Sequence, residues 1–147
     1  MKVVSNTSPL IAFSKINRFD ILKELFGKIV IPETVYEEFS ANCTDEEKQR
    51  FIIAREIFID KVRVDEIYHF SRKLGRGEQE ALILAIQLHA DLLLMDDRKG
   101  YNEAKEQNIN VASTRAILKI AEERDIISSY EEVEQALKER CFFVPSY

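Results

Sequence analysis

Acidic side chains stand where strand-like runs of this chain give way to helix-like ones. Glu38 follows Val30-Ile31-Pro32, Glu78 and Glu80 sit in GRGEQEA, and Asp96 and Asp97 follow Leu92-Leu93-Leu94-Met95. Carboxylates gathered at one edge of a parallel sheet supply oxygen donors for a hard divalent cation. Each acid also has a plainer reading. Helical residues turn by about 100°, which puts Glu38 beside Val35 and Phe39 and turns Glu37 the opposite way, so Glu38 is the candidate ligand against the alternative of a solvated surface glutamate. Glu78 lines up with Ala81, Leu82 and Ala85, whereas Glu80 shares a face with Ile83, Leu84 and Gln87; both can serve one site only at the first helical turn. There the helix macrodipole alone favours acids by about 0.3–1 kcal/mol, which is the rival explanation for either. A strand ending in two acids is not explained by burial. Asp97 reads as the N-cap of the next helix and Asp96 as the ligand, with the reverse assignment open.

The elements that must position these acids alternate between two periods. Lys2 to Ser5 reads as a short buried strand, and Ser8-Pro9 as an N-cap with proline at the first helical position. Asn17 is read as the cap of a second helix that carries Phe19, Leu22, Leu25 and Phe26 and stops at Gly27. Lys28 to Ile31 is the second strand, and Pro32 to about Ala41 a helix. Thr44-Asp45-Glu46-Glu47 reads as a capping box for a helix through about Ile57, followed by a strand from Ile59 to Val64. Helices are expected over Asp65 to Leu74 and Glu78 to Ala90, parted by Gly75 and Gly77. Leu92 to Met95 is an apolar strand of the kind covered on both faces. A helix from about Lys99 to Gln107, a strand from Asn110 to Ala112, a helix opened by Ser113 and a last helix from about Tyr130 to Lys138 complete the order. Alternating strands and helices with short connections predict an α/β fold, a three-layer α/β/α sandwich around a central parallel sheet.

One domain over residues 1–147 fits the length, and 46% hydrophobic residues suffice for a core without disulfide staples. Cys43 and Cys141 form no CxxC pair, and no apolar run approaches the roughly 18 residues of a membrane span, so a cytoplasmic protein without a signal peptide is expected. A net charge of −5 argues against a general DNA-coating protein, though not against a nuclease with a local basic rim. Arg72, Lys73 and Arg76 are the candidates for that rim, with Lys15, Arg98 and Lys99 behind them, each having the simpler reading of a solvated cation. No GxGxxG or GxxxxGK[ST] occurs, which sets aside dinucleotide and P-loop chemistry, and the two histidines, His69 and His89, fall within predicted helices, away from any nucleophile pairing. The apolar tail Phe142-Phe143-Val144-Pro145 is expected either to cover the core or to meet a second subunit in a homodimer.

Taken in order, VVSNTSPLIAFSKI, IPETVYEEF, GRGEQEALILA, LLLMDDRKGYNEA and NVASTRAILKIA resemble the PIN domains, in the PIN-like branch related to toxin ribonucleases of toxin–antitoxin pairs. The resemblance covers roughly residues 2 to 127. It implies a Rossmann-like sheet whose acidic pocket binds Mg2+ or Mn2+ and cleaves phosphodiester bonds, usually of RNA, with an antitoxin protein as a partner. By position, Glu38 is the second-unit acid, Glu80 the third with Glu78 as companion, and Asp96 or Asp97 the fourth, while Thr7, Ser8 and Thr114 match hydroxyl positions flanking the pocket. Asn6 stands where the family's first aspartate usually sits. A neutral carbonyl oxygen there attracts a metal less than a carboxylate, so a catalytically silent PIN-like module that binds nucleic acid or protein is the alternative function. An acidic phosphohydrolase or a receiver-like signalling domain is a further reading, weakened because a receiver pairs two acids after its first strand.

Overall fold

The short apolar runs pair side by side in the computed structural model, which describes residues 1–147. β1 (Val3–Ser5), β2 (Ile29–Pro32), β3 (Ile59–Val62), β4 (Leu92–Leu94) and β5 (Val111–Ala112) form one all-parallel sheet in the order β3-β2-β1-β4-β5. Val3, Val4 and Ser5 stand opposite Leu92, Leu93 and Leu94. Around the sheet lie α1 (Thr7–Lys15), α2 (Phe19–Phe26), α3 (Glu33–Ala41), α4 (Asp45–Ile57), α5 (Arg76–Gln87), α6 (Arg98–Glu106), α7 (Thr114–Glu123) and α8 (Tyr130–Glu139).

Strand side chains alternate between two apolar layers, as a period of two requires. Val3, Ile29, Ile31 and Leu94 join the core built with α1, α2, α3, α4, α7 and α8, whereas Val4 and Leu93 face the smaller core of α5 and α6. Two filled faces make this the expected three-layer sandwich. β3 is an edge strand: only Ile59 is buried, and exposed Asp60 and Lys61 keep its free edge from pairing further.

Local chemistry accounts for the boundaries. Thr44 and Glu47 form the reciprocal capping box expected of α4, Gly27 ends α2 at φ +68°, and Ser113 caps α7. Three expectations are corrected. α1 opens at Thr7 with Asn6 as its N-cap, because the Ser8 hydroxyl is committed to Asp96; Pro9 is then the third helical residue, where a missing N–H still has no intrahelical partner to lose. Asn17 does not cap α2. It sits in the left-handed region at φ 54° and ends α1, with Arg18 preceding the first turn of α2. Residues 65–74 are not helical: buried Glu103 accepts from the Ser71 hydroxyl, the Arg72 amide and the Arg72 guanidinium, so a tertiary anchor takes the backbone donor a helix would have used. His69 therefore lies exposed on an irregular segment, and His89 lies exposed just past α5.

Candidate functional site

β1 is the point where the chain order of the sheet reverses, since β2 and β3 lie to one side and β4 and β5 to the other. The crevice outside the carboxyl ends of β1 and β4 is the place where open α/β sheets bind ligands. Asn6 follows β1 and Asp96 follows β4, and the Asn6 amide bonds the Leu94 carbonyl at 2.9 Å, which locks the two strand ends together. A pocket of about 600 Å³ opens there, and Asn6, Thr7, Ser8, Glu38, Glu78, Asp96 and Asp97 line it.

Each acid is held by a different device. The α1 hydroxyl of Thr7 donates to Glu38 at 2.7 Å. Asp96 accepts from the Thr114 amide at 2.7 Å, the Thr114 hydroxyl at 2.6 Å and the Ser8 hydroxyl at 2.9 Å, so the N-termini of α1 and α7 grip it from two sides. The three hydroxyls that the family resemblance places at the pocket's edge thus orient its acids. Asp97 caps α6 by accepting from the Gly100 amide at 2.8 Å, the capping role the sequence favours for it. Glu78, in the first turn of α5, has no side-chain partner. Burial, reinforced by the charges of Asp97 and Glu38, holds its carboxyl above the ordinary range. Burial also raises Asp96, against the pull of its three donors.

The sequence marks Gly77 only as a spacer, yet it shapes the site. A Cβ on Gly77 would stand 2.6 Å from Glu38 Oε2 and 2.8 Å from Glu38 Cδ, so the Glu38 carboxylate occupies the space a side chain would fill. GE in GRGEQEA therefore supplies a vacant Cβ position and an acid in consecutive residues. Asn6 completes the cradle. It is 4% exposed, its Nδ2 donates to Met95 Sδ, and its Oδ1 is buried without a hydrogen-bond partner. An unpaired buried carbonyl oxygen is costly unless something else binds it, and a hard cation accepts such an oxygen.

Several predicted residues lie elsewhere. Glu80 faces a neighbouring recess with Glu33, Glu37, Arg63 and Asp65, where it accepts from Thr34 Oγ1 at 3.1 Å and Arg76 Nε at 3.0 Å. Two helical steps from Glu78 turn it away from the other acids. The expected basic rim is largely engaged in ion pairs with the protein's own acids. Arg72 pairs with Glu103 and Glu106, Arg76 with Glu80 and Lys15 with Glu47, while Lys73 and Lys99 are exposed outside the pocket lining. Arg98 lies over the Tyr147 ring at 5.3 Å.

Sequence reasoning misses the tail as part of the site. Phe142 and Val144 pack onto the protomer's own core, while the alternate residues Phe143, Pro145 and Tyr147 line the acidic pocket. The Tyr147 hydroxyl donates to the Asp96 carbonyl, and the Ser113 hydroxyl donates to the Tyr147 carbonyl. The alternation of the tail is legible in the sequence; its destination is not.

No three Asp, Glu, His or Cys side chains form a ready-made metal cage. Mg2+ keeps several waters and is commonly held by one or two carboxylates, so one unpaired carbonyl and four acids around an open pocket fit a hydrated ion.

Solved structures share this architecture. One is a PilT N-terminus domain protein, SSO1118, from the hyperthermophilic archaeon Sulfolobus solfataricus P2, with a TM-score of 0.60 and 22% identity over 82% of this chain and 93% of that one. Another is a domain of a functionally unknown protein from Methanocaldococcus jannaschii, with a TM-score of 0.52 and 23% identity over 76% and 89%. At such identities the likeness is one of fold. No curated protein matches the sequence. The model of the DUF3368 family, described as a PIN domain, matches residues 2–147, and the chain therefore belongs to the PIN domains, a family generally of nucleases that typically depend on a divalent metal.

Proposed function

We propose that this chain is a divalent-metal-dependent ribonuclease that hydrolyses phosphodiester bonds of single-stranded RNA, with Mg2+ or Mn2+ held by Asn6 Oδ1, Glu38, Asp96 and Asp97. The observation that carries the reading is the unpaired buried Oδ1 of Asn6 in a pocket shared with four acids. When bound, the metal supplies positive charge to a phosphate oxygen and lowers the pKa of a water. Thr7, Ser8 and Thr114 hold Glu38 and Asp96 in place before any ligand arrives, so those acids need no reorganisation. Glu78 is the one pocket acid free of both a side-chain donor and a capping duty, which suits it to take a proton from the attacking water. Glu80, Arg72 and Arg76 contribute through the ion pairs that fix α5 and residues 63–75 rather than through the reacting atoms.

Toxin activity checked by an antitoxin protein, in the cytoplasm, is the cellular setting proposed for this chemistry. No helix is long and apolar enough to cross a membrane. A homodimer would use a surface other than the tail, such as exposed Ile53 and Ile57 of α4. Asn6 in the place of an aspartate favours the second reading, a silent PIN-like module that binds RNA or protein without cutting. Calorimetric titration with Mn2+ and cleavage of a labelled RNA by wild type and Asp96→Asn separate the two. Metal binding and cleavage that are both lost in the variant support the nuclease; RNA binding with neither metal uptake nor cleavage overturns it.

A further inference from the structure

The acidic pocket has an apolar half. Beside the carboxylates, its wall is completed by Ile11, Phe143 and Pro145. Phe143 is 73% exposed, although its neighbours Phe142 and Val144 pack onto the core. The tail that presents it is pinned from two directions: Ser113 and the Asp96 carbonyl hold Tyr147, whose ring also contacts Tyr101 at 4.8 Å between centroids and lies under Arg98. A large aromatic face kept in water on a fixed strap, next to a site for phosphate, has the layout of a nucleotide: an anionic part that a metal can bridge to carboxylates, and a flat apolar part beside it. Single-stranded nucleic acids are bound in this way, with bases stacked on aromatic side chains.

We propose that Phe143, backed by Ile11 and Pro145, is a base-stacking subsite that takes the nucleobase flanking the phosphate bound at the acidic pocket. The proposal rests on the nuclease reading for the identity of that phosphate, but not for the stacking itself. Stacking reads the π-face that every base carries, so the subsite discriminates base from no base rather than one base from another. Arg98, over the Tyr147 ring of the same strap, adds positive charge beside the subsite.

The chain contains no tryptophan, so Phe143→Trp installs a single fluorescent reporter at an exposed position. In Mg2+, adenosine 5′-monophosphate and ribose 5-phosphate carry the same phosphate and neither has a diester to cut. Adenosine 5′-monophosphate is expected to quench the indole fluorescence of the Phe143→Trp protein and to bind about 5- to 150-fold more tightly than ribose 5-phosphate, the range that a stacked base contributes. Equal affinities, or no quenching by either, overturn the subsite. Cleavage of labelled RNA is read in parallel: Phe143→Ala should raise KM with little change in kcat, and an unchanged KM overturns the subsite while leaving the nuclease intact. Base-dependent quenching in a protein that cuts no RNA leaves the subsite standing and removes the nuclease reading instead.

Discussion

Replacing Gly77 by alanine should have opposite effects on stability depending on whether Glu38 is present. Gly77 is in the first turn of α5 without a positive φ, so its backbone accepts alanine, and alanine in a helix gains about 0.5–1 kcal/mol over glycine. The new Cβ would however stand within 2.6–2.8 Å of Glu38 Oε2 and Cδ. That contact cannot persist, and the flexible carboxylate rather than the backbone will yield. Glu38 then leaves the Thr7 hydroxyl, a charge-assisted bond worth about 1.5–3 kcal/mol. Gly77→Ala should therefore cost about 0.5–2.5 kcal/mol in wild type, but gain about 0.5–1 kcal/mol in Glu38→Ala, where the space is free. The coupling of about 1.5–3 kcal/mol is read by urea unfolding of the four proteins of the double-mutant cycle. Gly77→Ala should also weaken Mn2+ binding about 10–100-fold, the effect of disturbing a ligand through its support. Additive stabilities, with metal affinity unchanged, would refute the claim that the missing Cβ of Gly77 makes room for the acid.

Asn6→Asp should tighten Mn2+ binding and raise any cleavage, and should lower the melting temperature without metal, because a buried charge then joins Asp96, Glu38 and Glu78; calorimetry and melting with and without Mn2+ read both signs. Glu78→Gln should raise metal-free stability at pH 7. The folded-state pKa of Glu78 lies above its unfolded value, so the penalty is absent below the unfolded pKa and grows as pH rises toward the folded one; the difference in melting temperature between wild type and variant should vanish on acidification through the ordinary glutamate range. Arg72→Ala should lower melting temperature by removing the guanidinium pairs to Glu103 and Glu106, and should leave the salt dependence of RNA binding unchanged, whereas Arg98→Ala, beside the Tyr147 ring, should flatten it.

The sheet and most helices are legible because their signals are local: Leu92 to Leu94 is apolar throughout, and Thr44 with Glu47 names a helix start by its own hydrogen bonds. Glu38 is separable from Glu37 for the same reason, since one helical period decides which of two neighbours faces inward. Where a residue's partner lies far along the chain, local reading fails. Ser8 looks like a cap until Asp96, 88 residues away, claims its hydroxyl, and residues 65–74 look helical until Glu103 claims the Arg72 amide. In both cases an acid takes a donor that local structure would have used, because a buried carboxylate loses more by going unpaired than a helix end loses by going uncapped.

The same asymmetry explains the choice between Glu78 and Glu80. Family position favours Glu80 as the third acid, but Arg76 sits four residues before it on the same helix face and Thr34 lies across from it, so Glu80 finds its partners within a structural recess. Glu78 faces Glu38 and Asp97 with no cation and no donor beyond its own backbone amide. A fold that needed an acid here only to complement the α5 dipole would leave it at the solvated end of the turn. Keeping Glu78 partly buried beside other acids costs stability, as expected of a residue kept for function rather than for the helix dipole. Glu80→Gln should accordingly lower melting temperature and leave RNA cleavage intact, whereas Glu78→Gln, which removes the proposed proton acceptor, should raise metal-free melting temperature and abolish cleavage with little effect on Mn2+ affinity; the opposite pairing would return the third acid to Glu80.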